Sequence, residues 1–238
     1  MVACEDTRQT RKLLARHGIE AQLVPYHEHN ERRRAGELAK RIRSGEVVAL
    51  VSDAGMPSIS DPGELLVSAC AEEGIAIEVL PGPSAPITAL VASGLPAARF
   101  RFVGFLPRRK GELARLLAAA DETLVAFESP RRLTATLSLL AELDPERPLA
   151  VCRELTKLHE EVARGSAAEL AERFPGGTRG EVVLVIGAAR AAEGGGADPA
   201  AARAAVERLV EAGARRRAAA QVVSSLTGLP ANRLYRAD

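Results

Sequence analysis

Charge of one sign is missing from this sequence. Thirty-two lysines and arginines stand against 31 aspartates and glutamates, a net charge of +1. A nucleic-acid contact would therefore have to come from local patches. There is no CxxC. The three cysteines, Cys4, Cys70 and Cys152, are odd in number and far apart, which reads as free, mostly buried thiols of a cytoplasmic protein. No apolar run approaches the roughly 20 residues of a membrane span, so no membrane partner is expected. The opening MVACEDTRQTRK has no apolar stretch behind its charges and does not read as a signal peptide. Both common phosphate signatures are absent, since no GxxxxGKS/T occurs and no GxGxxG follows a strand. The triple glycine Gly194–Gly196 lies in an Ala/Gly-rich stretch and carries no such meaning.

What is present suits one large or two small domains with real cores, since 47% of the 238 residues are hydrophobic. Val47–Val51, Ile75–Leu80, Thr123–Phe127, Leu149–Arg153 and Glu181–Ile186 read as short buried strands. Helices stand between them: Thr7–His17 before Gly18, Glu31–Arg43 before Ser44-Gly45, Pro62–Glu73 before Gly74, and Arg131–Leu143. Ser166-Ala-Ala-Glu169 is a capping box opening a helix that ends near Phe174. Such alternation predicts an α/β fold with parallel pairing through right-handed crossovers. A boundary near Pro96–Arg99 divides one α/β domain, 1–98, from a second, 99–187. Residues 188–199 read as a flexible linker. Residues 200–238 read as helical, and Thr227-Gly228-Leu229-Pro230 resembles a helix-turn-helix corner, although a small capping bundle fits equally well.

In open α/β sheets ligands gather at the carboxyl ends of strands. Three such ends carry loops of small residues and prolines: Ser52-Asp53-Ala54-Gly55-Met56-Pro57, Pro81-Gly82-Pro83-Ser84-Ala85 and Glu128-Ser129-Pro130-Arg131. Their exposed backbone groups suit an adenine or an amino-acid headgroup better than a polyphosphate. Asp61-Pro62-Gly63-Glu64 reads as a helix start, with Asp61 as N-cap, Pro62 at N1 and Glu64 at N3. Asp61 is thus expected to be structural. Asp53, one residue past its strand with no helix behind it, is the functional candidate of the pair, with an Asx turn as the bland explanation.

Nine motifs stand in order: CEDTR (4–8), TRKLL (10–14), YHEHN (26–30), VSDAGMPSISDPG (51–63), PGPSA (81–85), GFLPRRKGE (104–112), FESPRRL (127–133), RELTKLHEE (153–161) and GEVVLVIG (180–187). With them the chain, over residues 1 to about 187, resembles the ribosomal RNA small subunit methyltransferase I family of the tetrapyrrole methylase superfamily. The resemblance implies two α/β domains with S-adenosylmethionine held in the cleft between them. It implies 2′-O-methylation of a cytidine ribose in the decoding region of 16S rRNA, on the RNA or the 30S subunit, by a homodimer. Asp53 to Met56 and Pro83 to Ala85 would line the cofactor pocket from the first domain, and Phe127, Glu181 and Val182 from the second. Family members start with an extra strand and a TPIGNL-type loop before the ACEDTR strand, whereas this chain opens inside the latter, at Met1-Val2-Ala3-Cys4. A chain truly beginning here is expected to expose a sheet position and to methylate weakly or not at all.

Methyl transfer to a hydroxyl needs alignment, water exclusion and a place for the proton, and no metal. Lys157, Glu154, Glu128 and His159 are the candidates to orient or deprotonate the hydroxyl. An ion-pair cluster explains the charged ones as well. Arg108-Arg109-Lys110 after Pro107 is the candidate RNA patch, whereas the Phe residues before it read as a strand's core face. Glu5, Asp6, Arg8 and His27 are substrate-side candidates, although Asp6 can also cap the Thr7 helix. The rival readings are a corrinoid or porphyrin methyltransferase, a metal-dependent hydrolase built on His27 and His29, and an RNA-binding protein without catalysis.

Overall fold

The computed structural model describes residues 1–189, 199–227 and 229–235. Residues Met1–Ala188 form one compact unit and Ala189–Asp238 a second. The first unit opens with a parallel sheet of three short strands, β1 (Val2–Cys4), β2 (Leu23–Pro25) and β3 (Ala49–Val51), in the order β2-β1-β3. As the central strand, β1 is the most buried, with Ala3 and Cys4 fully enclosed. Three helices belong to this half: α1 (Thr7–Arg16), α2 (Glu31–Arg43) and α3 (Glu64–Glu72). Tyr26, Leu38, Leu66 and Cys70 pack against the sheet. Asp6 caps α1 by accepting the Arg8 backbone N–H at 2.8 Å.

Two expectations fail here. Ile75–Leu80 forms no strand, and Ile77, Val79 and Leu80 stand exposed. A strand exists only by pairing, and among the described residues β3 is a sheet edge with no neighbour on that side. The start of α3 also differs. Its N-cap is Gly63, not Asp61, and Pro62 lies outside the helix. The cap bonds come from another element: Glu31 Oε1 on α2 accepts Gly63 N–H at 2.8 Å and Leu65 N–H at 3.3 Å. Gly63 has φ 151°, and a Cβ there would lie 2.5 Å from Ser58 Oγ, so only glycine fits.

The larger sheet has five strands: β4 (Phe100–Phe105), β5 (Thr123–Glu128), β6 (Pro148–Arg153), β7 (Glu161–Ser166) and β8 (Val182–Ile186). Their order is β4-β5-β8-β6-β7. Only β4 and β5 pair in parallel; the other three pairs are antiparallel. The expected all-parallel pairing thus holds for the small sheet and fails here, because β6 turns straight into β7 without a crossover helix. Helices α5 (Lys110–Ala118), α6 (Leu133–Leu143) and α7 (Ala167–Arg173) cover one face through Leu113, Leu117, Leu137 and Leu170. Helix α4 (Ala85–Ser93) covers the other, setting Ala89 and Leu90 against Val125, Ala150, Cys152 and Val185. A helix from the amino-terminal half therefore seals the carboxyl-terminal sheet.

Two local devices secure this half. The capping box at α7 is formed as expected, with Ser166 N–H donating to Glu169 Oε2 at 2.8 Å and Glu169 N–H to Ser166 Oγ at 3.3 Å. Ser166→Ala should lower unfolding stability by about 1 kcal/mol in a urea titration. Arg147 is fully buried, and its guanidinium donates to Leu117 O at 2.7 Å and Gly187 O at 2.8 Å.

The second unit holds α8 (Pro199–Glu211), α9 (Arg216–Thr227) and α10 (Ala231–Tyr235) around Val206, Ala219, Ala220, Val223 and Leu234. Arg216 forks onto the Glu207 carboxylate at 2.5 and 2.6 Å. Most of the expected linker, 190–198, and the corner residue Gly228 lie outside the described residues.

Candidate active site

The first unit contains a cavity of about 470 Å³, within the range that small-ligand sites occupy. Its walls come from five places in the chain. The loop after β3 gives Ala54, Gly55, Met56, Ile59, Ser60 and Asp61. The start of α4 gives Ser84, Ala85 and Pro86, and the end of β4 gives Phe105. The end of β5 gives Phe127 to Pro130, and the start of β8 gives Gly180 to Val183. Because β8 runs antiparallel to β5, its beginning lies at the end where β5 finishes. The sheet thus supplies a strand end and a strand start to one rim.

Each wall has its own chemistry. Ser84 caps α4 in extended conformation without a side-chain cap bond, so the helix N-terminus is suited to a ligand carboxylate. Phe105 is 62% exposed and leans on Phe127, ring centroids 5.4 Å apart, while Phe102 meets Phe127 edge-on at 5.3 Å. This offers an aromatic surface to a ligand ring. The sulfur of Met56 packs against Gly82, bringing the two expected loops together.

The acidic groups divide into two kinds. Glu128 is fully buried and has both oxygens engaged. Oε1 accepts Ser129 N–H at 2.7 Å, while Oε2 accepts the Thr136 hydroxyl at 2.6 Å and lies 3.4 Å from Arg132. Arg132 donates in turn to Leu106 O at 3.1 Å and Pro107 O at 2.6 Å. Glu128 therefore holds the chain ahead of Arg108. Asp61 is of the other kind. It lines the cavity, and burial, then the nearby Glu5 carboxylate, push its carboxyl above the usual range against the lowering effect of the Ser52 hydroxyl. Asp53 and Glu181 add to the rise.

The other sequence candidates sit as follows. Ala54, Gly55, Met56, Ser84, Ala85, Phe127, Glu181 and Val182 line the cavity, as does Glu128. Ser52, Asp53 and Pro83 do not, since Ser52 turns its hydroxyl toward Ala54 O at 3.3 Å and Asp53 and Pro83 are exposed. Lys157 and Glu154 lie behind the rim. Lys157 bridges Glu154 Oε1 at 3.0 Å and Glu181 Oε2 at 3.1 Å, and Glu154 Oε1 also accepts Glu181 N–H at 2.9 Å. The hydrogen bond with Glu154 raises the pKa of Lys157, the opposite of what a general base needs. The pair braces β8. Asp6 and Arg8 pair with each other at 2.9 Å, which holds the Asp6 carboxyl down at about 2. His27 Nε2 faces Asn30 Nδ2 at 3.0 Å. His27 and His29 meet ring edge to face, and among the described residues no group of three His, Cys, Asp or Glu could hold a metal. Arg109 pairs with Glu112 and Lys110 with Glu142 on the surface, and Arg108 is exposed.

Sequence reasoning missed Asp61, Ile59, Phe105 and Gly180. The usable signal for Asp61 was Gly63, a turn residue that separates it from the helix it was expected to cap. For Phe105 it was the end position on an alternating strand.

A small parallel sheet, a larger mixed sheet and a cavity at their strand ends place the chain among the methyltransferases, and the comparisons specify which. Residues 1–171 match the family of Tetrapyrrole (Corrin/Porphyrin) Methylases. The chain is 46% identical to Ribosomal RNA small subunit methyltransferase I of Mycobacterium tuberculosis, over 99% of this chain and 84% of that one. It is 42% identical to the protein of that name in Mesorhizobium japonicum, over 99% and 81%. Among solved structures it resembles uroporphyrin-III-C-methyltransferase of Thermus thermophilus, with TM-score 0.50 and 26% identity over 71% of this chain and 74% of that one. A diphthine synthase shares the fold at TM-score 0.56 and 16% identity, over 79% and 78%. The chain belongs to the tetrapyrrole methylase family and, within it, to the ribosomal RNA small subunit methyltransferase I group. Among the described residues no helix is long and apolar enough to cross a membrane.

Proposed function

We propose that this protein methylates a cytidine ribose 2′-hydroxyl in the decoding region of 16S rRNA, using S-adenosylmethionine, as a cytoplasmic homodimer acting on the RNA or the 30S subunit. The observation that carries the reading is the cavity, whose donor set matches the cofactor part by part. The α4 N-terminus suits the amino-acid carboxylate, Phe105 suits the adenine, and the carboxylates of Asp61 and Glu181 suit a cation between them. The high identity to relatives named for ribosomal RNA supports the substrate class. Bound there, the cofactor supplies a methyl group on a positively charged sulfur. The protein's share is alignment and exclusion of water. Met56, Ile59, Phe105 and Phe127 give the cavity its apolar lining. Arg108, Arg109 and Lys110, exposed beyond β4, would hold phosphates.

The test is to incubate the protein with unmethylated 30S subunits, naked 16S rRNA and uroporphyrinogen, each with labelled S-adenosylmethionine, and to locate the label. Label on a 2′-O-methylcytidine is expected. Label on the macrocycle alone would establish the corrinoid or porphyrin reading instead.

A further inference from the structure

We propose that Asp61 is the group that accepts the hydroxyl proton during methyl transfer. The assignment rests on the methyltransferase reading above and adds to it the residue that completes the step.

Asp61 is the cavity carboxylate left available. Three acidic groups line the cavity, Glu128, Glu181 and Asp61, with Glu154 and Lys157 behind its rim, and Glu181 is exposed and paired with Lys157 at 3.1 Å. Glu128 is enclosed, and its oxygens already receive Ser129 N–H, the Thr136 hydroxyl and Arg132. Glu154 is held by Lys157 and by the Glu181 backbone N–H. Lys157 lies between two carboxylates and stays an ammonium. A proton arriving at any of these would have to break an existing charge-assisted bond. Asp61 differs in each respect. It lines the cavity beside Ser60 on the loop carrying Met56, it is half-buried, and among the described residues no cationic side chain pairs with it.

The groups around it favour protonation. Glu5 follows β1, Asp53 follows β3 and Glu181 precedes β8, and all three carboxylates act on Asp61 in the same direction. Proton uptake therefore relieves a local excess of negative charge. The same excess stabilises a cationic cofactor before transfer and loses that hold once the sulfur is neutral.

The step balances. The ribose oxygen forms a bond to the methyl carbon, and the carbon–sulfur bond breaks with its electron pair remaining on sulfur. The hydroxyl proton passes to an Asp61 carboxylate oxygen. One positive and one negative charge disappear together, leaving a neutral thioether, a methyl ether and a carboxylic acid. The acid then returns its proton to solvent through the open mouth of the cavity.

The bland alternative, that Asp61 only braces its loop, makes different predictions, and Asp61→Asn separates them. The amide keeps the size of the side chain but cannot take a proton. On this chain, kcat is expected to fall on the order of 100-fold or more, with the Kd for S-adenosylhomocysteine, measured by calorimetry, within about threefold of wild type. The rise of log kcat with pH should vanish in Asp61→Asn and return, shifted, in Asp61→Glu. A readout independent of activity is thermal melting without cofactor. Removing a carboxylate that burial and three like charges disfavour should leave Tm unchanged or raised at pH 8, and the wild type should gain on the variant as pH falls. Asp61→Asn with near wild-type kcat, or with a lowered Tm accounting for the loss of activity, would overturn the assignment alone. A wild-type protein that transfers no methyl group to any RNA would overturn the proposed function and this assignment with it.

Discussion

Gly180→Ala should produce a folded protein that has lost methyl transfer. Gly180 stands on the cavity wall with φ 84°, a conformation that costs an L-residue about 1–2 kcal/mol. The larger effect is steric. A Cβ at this position would overlap the Glu154 side chain, from its Cγ to its carboxylate. Glu154 cannot simply swing away, because Oε1 is fastened to Lys157 at 3.0 Å and to Glu181 N–H at 2.9 Å. Moving it releases the start of β8, and with it Glu181, Val182 and Val183, which line the cavity. A displacement of this size at a reacting centre lowers kcat/KM on the order of 100-fold. The core lies elsewhere, so Tm should move by only a few degrees. Initial rates and calorimetric titration of S-adenosylhomocysteine measure both effects. The double variant Glu154→Ala/Gly180→Ala tests the cause. Space restored at Glu154 should recover part of the lost binding, and no recovery would show that backbone strain alone is responsible.

The second large effect is on stability. Arg147→Met should lower the unfolding free energy by about 3–5 kcal/mol. The residue is almost wholly enclosed, 2% exposed. Burial lowers its pKa, with the Asp144 charge opposing, yet the guanidinium stays because it serves two carbonyls at the ends of different elements. Leu117 O belongs to the last turn of α5, and Gly187 O follows β8. Methionine fills most of the volume and leaves both acceptors without a donor, at about 1–3 kcal/mol each. Roughly 10 °C of Tm should be lost, read by calorimetry alongside a urea titration. Arg147→Lys, able to reach one carbonyl, should fall between. A methionine variant as stable as the parent would mean that neither bond contributes.

Periodicity made much of this fold legible. The helices α1, α2, α6 and α7 and the strands β5, β6 and β8 fall where their apolar spacing and caps place them. Strand β7, Glu-Val-Ala-Arg-Gly-Ser, has too few apolar residues to stand out and exists because β6 offers an edge beside it. Ile75–Leu80 shows the converse, since β-branched residues without a neighbour remain unpaired. The cavity was half legible. Loops at strand ends can be read from turn residues, which brings out Met56 and Ser84, whereas Phe127 comes only with the family resemblance. Choosing between Asp53 and Asp61 was beyond such reading. Glu31, far away on α2, takes over the capping of α3, and Asp61 lines the cavity instead. That exchange is tertiary and leaves no local mark.

The unpaired side of β3 sets how this molecule behaves in company. Val47 just before it, and Ile77, Val79 and Leu80 in the unpaired segment after α3, have between 43% and 83% of their surfaces in water. Open backbone beside bare aliphatic side chains recruits any extended chain that passes. Such an edge is expected to lower the concentration at which the protein stays in solution. Val79→Lys would place a charge on that flank and raise the concentration at which the solution stays clear, leaving the methyl-transfer cavity as it is.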